Sequence, residues 1–167
     1  KYEYNIAVLP LKVIRNRKGL LKVGKFLVKG GTPLQGKITV SGAKNAALPI
    51  ITASLLAESP STLLDIPELR DVINLCKILQ DMGAEIKRDG STVYIDPTEL
   101  NKSEADRELA RQLRASYYIL GVMLAKEGRA RTSVPGGCNI GNRPIDLHLK
   151  GFKALGAEIK LDHGIIE

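Results

Sequence analysis

Tryptophan is absent from the 167 residues, and five Tyr and two Phe hold the aromatic share to 4%. Single-stranded nucleic acid is bound largely by stacking bases on aromatic faces, so this composition argues against such a module. Cysteine occurs only twice, at Cys76 and Cys138. Two cysteines make no disulfide framework and fit a reducing cytoplasm. His148 and His163 are the only histidines, and neither stands at a familiar ligand spacing from a cysteine, so no metal site is expected. No apolar run reaches the roughly 20 residues of a membrane span, the longest lying near 117–125. Residues 1–14 lack the basic start, long apolar centre and small-residue cleavage site of a secretory signal.

What is present is ordinary for a globular domain with a sizeable core: 44% apolar and 26% charged residues. The net charge is +7, but residues 1–22 hold six Lys and Arg against one Glu. The body of the chain therefore has almost no basic excess, and a nucleic-acid reading would rest on the arm alone. That arm has no clear period and starts at Lys1, not Met, which points to an end that is not native. Its basic run, Lys12 to Lys18, reads as a solvated tail.

From Lys25 the pattern is regular. Short strands are expected at Phe26–Val28 and Lys37–Val40, joined through Gly30-Gly31-Thr32-Pro33. Ser41 is placed to cap a helix from about Ala43 to Ala57 that is apolar on all sides after Lys44 and Asn45, the pattern of an enclosed helix. A strand at Thr62–Ile66 ends at Pro67. Leu69, Val72, Cys76, Leu79 and Met82 then recur at helical spacing, with Gly83 as the cap and Cys76 as a core residue. Glu85–Arg88 and Thr92–Ile95 form a hairpin about Asp89-Gly90. Residues 97–112 read as a polar connector that includes some helix.

The order then repeats. Ala115–Ala125 is a second nearly uncharged helix, Arg131–Val134 a strand ended by Pro135, and Ile145–Leu155 an amphipathic helix closed by Gly156. Glu158–Leu161 and Gly164–Ile166 make a second hairpin. Met82-Gly83-Ala84-Glu85-Ile86-Lys87 matches Leu155-Gly156-Ala157-Glu158-Ile159-Lys160, and Pro67 matches Pro135. The interval from Pro135 to Gly156 is five residues longer than that from Pro67 to Gly83. The excess is a loop, Pro135 to Asp146, that holds Gly136, Gly137 and Gly141 around Cys138. A thiol there is open to two readings, an incidental surface cysteine or a working nucleophile or acid. A repeat needed only for packing has no use for the insertion, which favours the second.

Ser41-Gly42-Ala43-Lys44-Asn45 is a helix start with a cation in its first turn, a suitable anion site. Arg114 stands at the matching start of the second uncharged helix, and Arg143 beside the thiol. Each alone is explained equally well by a solvated cation at a helix start. Together they suggest one anionic pocket.

Gly42 to Pro49, Leu113-Arg114-Ala115-Ser116, and Pro135 to Cys138 with Gly141 and Arg143 to His148 resemble the enolpyruvyl transferase family, in particular its MurA-type branch, which acts on UDP-N-acetylglucosamine. The resemblance runs from about Lys25 to Glu167. EPSP synthases share the fold and phosphoenolpyruvate but lack the cysteine loop and differ in the lysine motif, which makes them the more distant match. The resemblance implies an α/β fold, an inside-out barrel of repeated βαβαββ-like units with helices enclosed and sheets outside. It also implies transfer of the enolpyruvyl group to the sugar 3′-hydroxyl, the first committed step of peptidoglycan synthesis in the cytoplasm, with fosfomycin as an inhibitor. Lys44 and Asn45 match positions that hold phosphoenolpyruvate. Arg114, Arg143, Pro144, Ile145, Asp146 and Leu147 match positions on the UDP-sugar, and Cys138 matches the general acid that also forms a covalent adduct. No cofactor, metal, nucleic acid or membrane is implied.

The expected organisation is an N-terminal extension of unknown role, residues 1–24, and a partial transferase domain, residues 25–167, with units at about 36–96 and 113–167. The family has three such units per domain and a second domain bearing the catalytic base. A chain of two units is therefore expected to be inactive alone. The contrasting reading is a non-enzymatic, basic-armed binding module, which explains the arm but not the cysteine loop.

Overall fold

The computed structural model describes residues 36, 37, 39–134 and 145–167, together with the backbone pairing of Ala7–Val8 and Val28–Lys29. The chain divides into two compact units, Lys1–Val40 and Ser41–Glu167. In the first, β1 (Ala7–Val8) pairs antiparallel with β2 (Val28–Lys29), Val8 opposite Val28. The strand expected at 26–28 overlaps β2 at Val28, while Phe26, Leu27, most of the basic arm and Gly30 to Pro33 lie outside the described residues. The strand expected at Lys37–Val40 is not formed: Lys37, Thr39 and Val40 are irregular and exposed. Strand propensity acts through cross-strand neighbours, and no described strand pairs with this segment.

The second unit begins with α1 (Lys44–Ala53), which tightens into a 3₁₀ turn at Ser54–Leu56. Its cap is Ala43, not Ser41: the extended Ala43 offers its carbonyl to the N–H groups of Ala46 and Ala47, and no side chain caps the start. Ser41 stands two residues too early. There follow β3 (Ser61–Leu63), α2 (Arg70–Asp81), β4 (Glu85–Asp89) and β5 (Thr92–Asp96). The connector contains α3 (Arg107–Arg111), capped by Asp106, whose carboxylate accepts from the N–H groups of Glu108 and Leu109. A 3₁₀ turn at Arg114–Tyr117 runs into α4 (Tyr118–Glu127), followed by β6 (Thr132–Ser133), α5 (Asp146–Ala154), β7 (Leu161–Asp162) and β8 (Ile165–Ile166).

The two halves share a topology. β3, β5 and β4 form an antiparallel sheet in that order, and β6, β8 and β7 repeat it. Leu63 faces Val93 across the first sheet, and Ser133 faces Ile165 across the second. The helices before each hairpin also end alike. Gly83 and Gly156 both take positive φ, and the N–H groups of Ala84 and Ala157 return to Leu79 and Phe152. These are the long bonds of a Schellman cap.

Packing differs more. Ile51, Leu55, Leu75, Ile78, Leu79, Met82, Val93, Ile95, Ile119 and Met123 are fully buried in one core. Each such side chain contributes roughly 1.5–3 kcal/mol, against about 0–1 kcal/mol for an exposed ion pair, so burial dominates. The second half has a smaller cluster of Leu120, Ile145 and Ile166, and α5 has no buried residue. The expected all-round enclosure of the first helix is met on one side only. Ala47, Leu48, Ile51 and Thr52 are buried, whereas Ala46, Ile50 and Ala53 are exposed because no described element covers that face.

The paired glycines give a stability test. Both would strain an alanine through positive φ, at about 1 kcal/mol. A Cβ on Gly83 would also lie 2.4 Å from the Glu99 carbonyl oxygen, while one on Gly156 meets nothing within 4 Å. Gly83→Ala is expected to cost at least about 1 kcal/mol more than Gly156→Ala in urea unfolding. Equal losses would contradict the close packing at Gly83.

Candidate functional site

Lys44 and Asn45 are the first two residues of α1, and both are exposed. Lys44 Nζ lies 2.7 Å from Oδ2 of Asp71, in the first turn of α2. Two helix starts thus meet through one ion pair. The backbone leading into Lys44 is held tightly. A Cβ on Gly42 would fall 1.8 Å from the carbonyl oxygen of Asp65, which itself takes a left-handed φ of 56°. The neighbouring Ile66 is tied to the β4–β5 hairpin: its N–H donates to Ser91 O, and its carbonyl accepts from Arg88 Nη2 at 2.9 Å. Arg88 Nε also donates to Gly90 O.

Arg114 opens the 3₁₀ turn before α4, and its Nε is buried with no hydrogen-bond partner among the described residues. Three residues on, the Tyr117 ring packs 4.8 Å from the His148 ring of α5 and 4.5 Å from Tyr118. Burial, and a hydrogen bond with the Tyr118 hydroxyl, push the Tyr117 phenol up to about 12, with Arg114 opposing. The aromatic contact sets the Arg114 turn beside the first turn of α5, where Asp146 and Leu147 are exposed next to the buried Ile145.

The relation of α1 to α4 follows from their far ends. Lys126, near the end of α4, donates from Nζ to the carbonyl of Leu55, in the 3₁₀ turn that ends α1, at 2.8 Å. Helices touching along their sides and at their C-terminal ends run in the same sense. Their starts, with Lys44 and Arg114, therefore lie toward one end of the pair. Free N–H groups and partial positive charge collect there, as an anion requires.

Gly136, Gly137, Cys138, Gly141, Arg143 and Pro144 lie outside the described residues. On the near side of that segment, Val134 donates to Gly164 O at 2.8 Å. A separate concavity of about 690 Å³ lies between α4, α5 and the second hairpin, lined by Leu120, Leu124, Phe152, Ile159 and Ile166. Neither Lys44, Asn45 nor Arg114 contributes to it, and its wall is chiefly apolar, so it does not suit an anion. Among the described residues there is no group of three or more His, Cys, Asp or Glu placed to hold a metal, and no helix long and apolar enough to cross a membrane.

Residues 28–167 match the family model described as EPSP synthase (3-phosphoshikimate 1-carboxyvinyltransferase). The chain belongs to this family. Among its relatives, a UDP-N-acetylglucosamine 1-carboxyvinyltransferase from Halothermothrix orenii is 75% identical over 145 residues, covering 87% of this chain and 35% of the relative. One from Trichlorobacter lovleyi is 51% identical over 143 residues, 86% of this chain and 34% of that one. The chain thus spans about a third of the length of the curated relatives it matches. The crystal structure of the enolpyruvyl transferase NikO from Streptomyces tendae superposes with a TM-score of 0.69 at 24% identity, over 82% of this chain and 30% of that one. That likeness establishes the enolpyruvyl transferase fold, an inside-out α/β barrel, of which the described residues hold two open three-stranded sheets and no closed barrel.

Several features of this family member escaped the sequence: the Asp71 partner of Lys44, the Tyr117–His148 contact and the Gly42–Asp65 approach. The glycine in Ser41-Gly42-Ala43 was the one available signal for the last. It carries a direct test. Gly42→Ala must displace backbone, since a 1.8 Å approach cannot be relieved by a side chain. It is expected to lower stability by about 1–3 kcal/mol and to shift the amide resonances of Lys44 and Asn45. A variant with unchanged melting temperature and spectrum would show that the contact is not kept in solution.

Proposed function

We propose that the complete protein transfers the enolpyruvyl group of phosphoenolpyruvate to the 3′-hydroxyl of UDP-N-acetylglucosamine, releasing phosphate. This is the first committed step of peptidoglycan synthesis, and it takes place in the cytoplasm. The observation that carries the reading is the 75% identity to a UDP-N-acetylglucosamine 1-carboxyvinyltransferase across nearly the whole chain. The gathering of helix starts bearing Lys44 and Arg114 supports it, since both substrates are phosphorylated.

In this reading Lys44 and Asn45 hold phosphoenolpyruvate at the start of α1. Arg114, Arg143, Pro144, Ile145, Asp146 and Leu147 contact the UDP-sugar. Cys138 protonates C3 of phosphoenolpyruvate as the sugar 3′-oxygen bonds to C2, and loss of the C3 proton then expels phosphate. A thiol suits this work. With an ordinary pKa near 8.5 it is mostly protonated at neutral pH, gives up its proton at modest cost, and as thiolate is a strong nucleophile. Residues 1–24 are an extension to a partial transferase domain at 25–167, with units at about 36–96 and 113–167. A further domain supplies the base for the sugar hydroxyl.

Phosphate release by the complete protein with both substrates is the test. Lys44→Gln and Cys138→Ser are each expected to reduce turnover by at least about 100-fold, the usual order for losing a proton donor or an electrostatic contact to the transition state. Near-normal turnover in either variant removes that residue from the chemistry, and inactivity of the parent with both substrates removes the reading. The two thiols give a second measurement. Burial pushes the Cys76 thiol up, with Arg88 opposing, so it stays protonated and slow toward electrophiles near neutral pH. Fosfomycin should label Cys138 first in peptide mapping, and preferential labelling of Cys76 would contradict the assignment.

A further inference from the structure

We infer that Asp71 is a positioning residue for Lys44 which also restrains the affinity of the site for free phosphate. The inference rests on the role proposed for Lys44 above. An acidic residue in the first turn of α2 is favoured by the helix dipole whatever else it does. The dipole does not explain why the carboxylate reaches to α1, 27 residues earlier, and meets Lys44 Nζ at 2.7 Å. Both side chains are about 40% exposed, so the pair adds little to stability. Its consequence is local and chemical.

An ammonium group has three donors and free rotation about its stem. One donor given to Asp71 fixes the rotation and leaves two aimed away from α2. The carboxylate also cancels the lysine's charge for any approaching anion. A lone lysine at the start of α1 would bind inorganic phosphate as readily as a phosphate ester, and the product of the reaction would inhibit. With Asp71 in place, the binding of small anions is weakened while the two remaining donors stay oriented for the reacting group. α1 is held close at Gly42, and α1 and α2 share one core, so the two helix starts that carry the pair are kept near each other.

Asp71→Asn keeps the shape and removes the charge. In the complete protein, isothermal titration with inorganic phosphate should show binding about three- to fivefold tighter, the effect of one partly exposed charge. KM for phosphoenolpyruvate should fall with it, while kcat drops about tenfold through lost orientation and slower phosphate release. Asp71→Glu should restore weak phosphate binding and only part of kcat. In a Lys44→Gln background, Asp71→Asn should leave phosphate affinity unchanged. Phosphate affinity within twofold of the parent would overturn the inference, as would a tightening that persists without Lys44. A lowered melting temperature with kcat and KM unmoved would reduce Asp71 to a helix-start residue and equally overturn it. Phosphate titration needs no turnover, so it decides the role of Asp71 even if the parent fails to react with the two substrates.

Discussion

The arrangement of the site depends on one constraint, the same-sense packing of α1 and α4. A helix is electrically directional, with donors bare at one end and acceptors at the other. Had these helices packed head to tail, Lys44 and Arg114 would stand at opposite ends, each facing the carbonyl end of its neighbour. The bond from Lys126 to the carbonyl of Leu55 satisfies one of those terminal carbonyls and fixes the sense. The shared order of elements in the two halves has the same effect, since each uncharged helix feeds a strand, a helix and a hairpin in turn.

The halves are alike in plan and unlike in density. The first holds most of the buried side chains, and its hairpin, α2 and the turn at Asp65 close on one another. Among the described residues, the second has three buried in its own cluster and a helix with none. Loss of a few methyl groups in the first core would therefore cost the whole unit more than a comparable loss around α5. The proposed binding residues follow the same division. Lys44 stands on the densely packed half, while Asp146 and Leu147 stand on the sparsely packed one, where local rearrangement costs less.

Much of this plan was legible in the chain itself, and what was legible is what local chemistry decides. Gly90 in the first hairpin, and His163 and Gly164 in the second, set the turns through positive φ, and Gly83 and Gly156 end helices for the same reason. Of the residues at helical spacing, Val72, Leu79 and Met82 turn one face into the core, Cys76 is half-buried against it, and Leu69, just before α2 begins, stays exposed. Features that depend on partners distant in sequence were not legible. Lys37–Val40 has strand-like residues and, among the described residues, no strand to pair with, and Ser41 resembles a cap that Ala43 provides with backbone alone. In the site, the placing of Lys44 and Arg114 at corresponding helix starts could be read from the repeat, although its register sets Arg114 opposite Ala46. Asp71 could not, because an acid in the first turn of an amphipathic helix looks the same whether it faces water or a lysine.

The fork made by Arg88 has a consequence for how the exterior can vary. One guanidinium holds the carbonyl of Gly90, at the outermost point of the first hairpin, and that of Ile66, next to the residue on which Gly42 rests. An exposed turn is ordinarily the freest place in a fold to accept insertion or change. Here the turn acts as a lever whose short arm bears on the first turn of α1. The hairpin turn is thus tied by one side chain to the backbone beside Asp65, and its exposure alone would not suggest that connection.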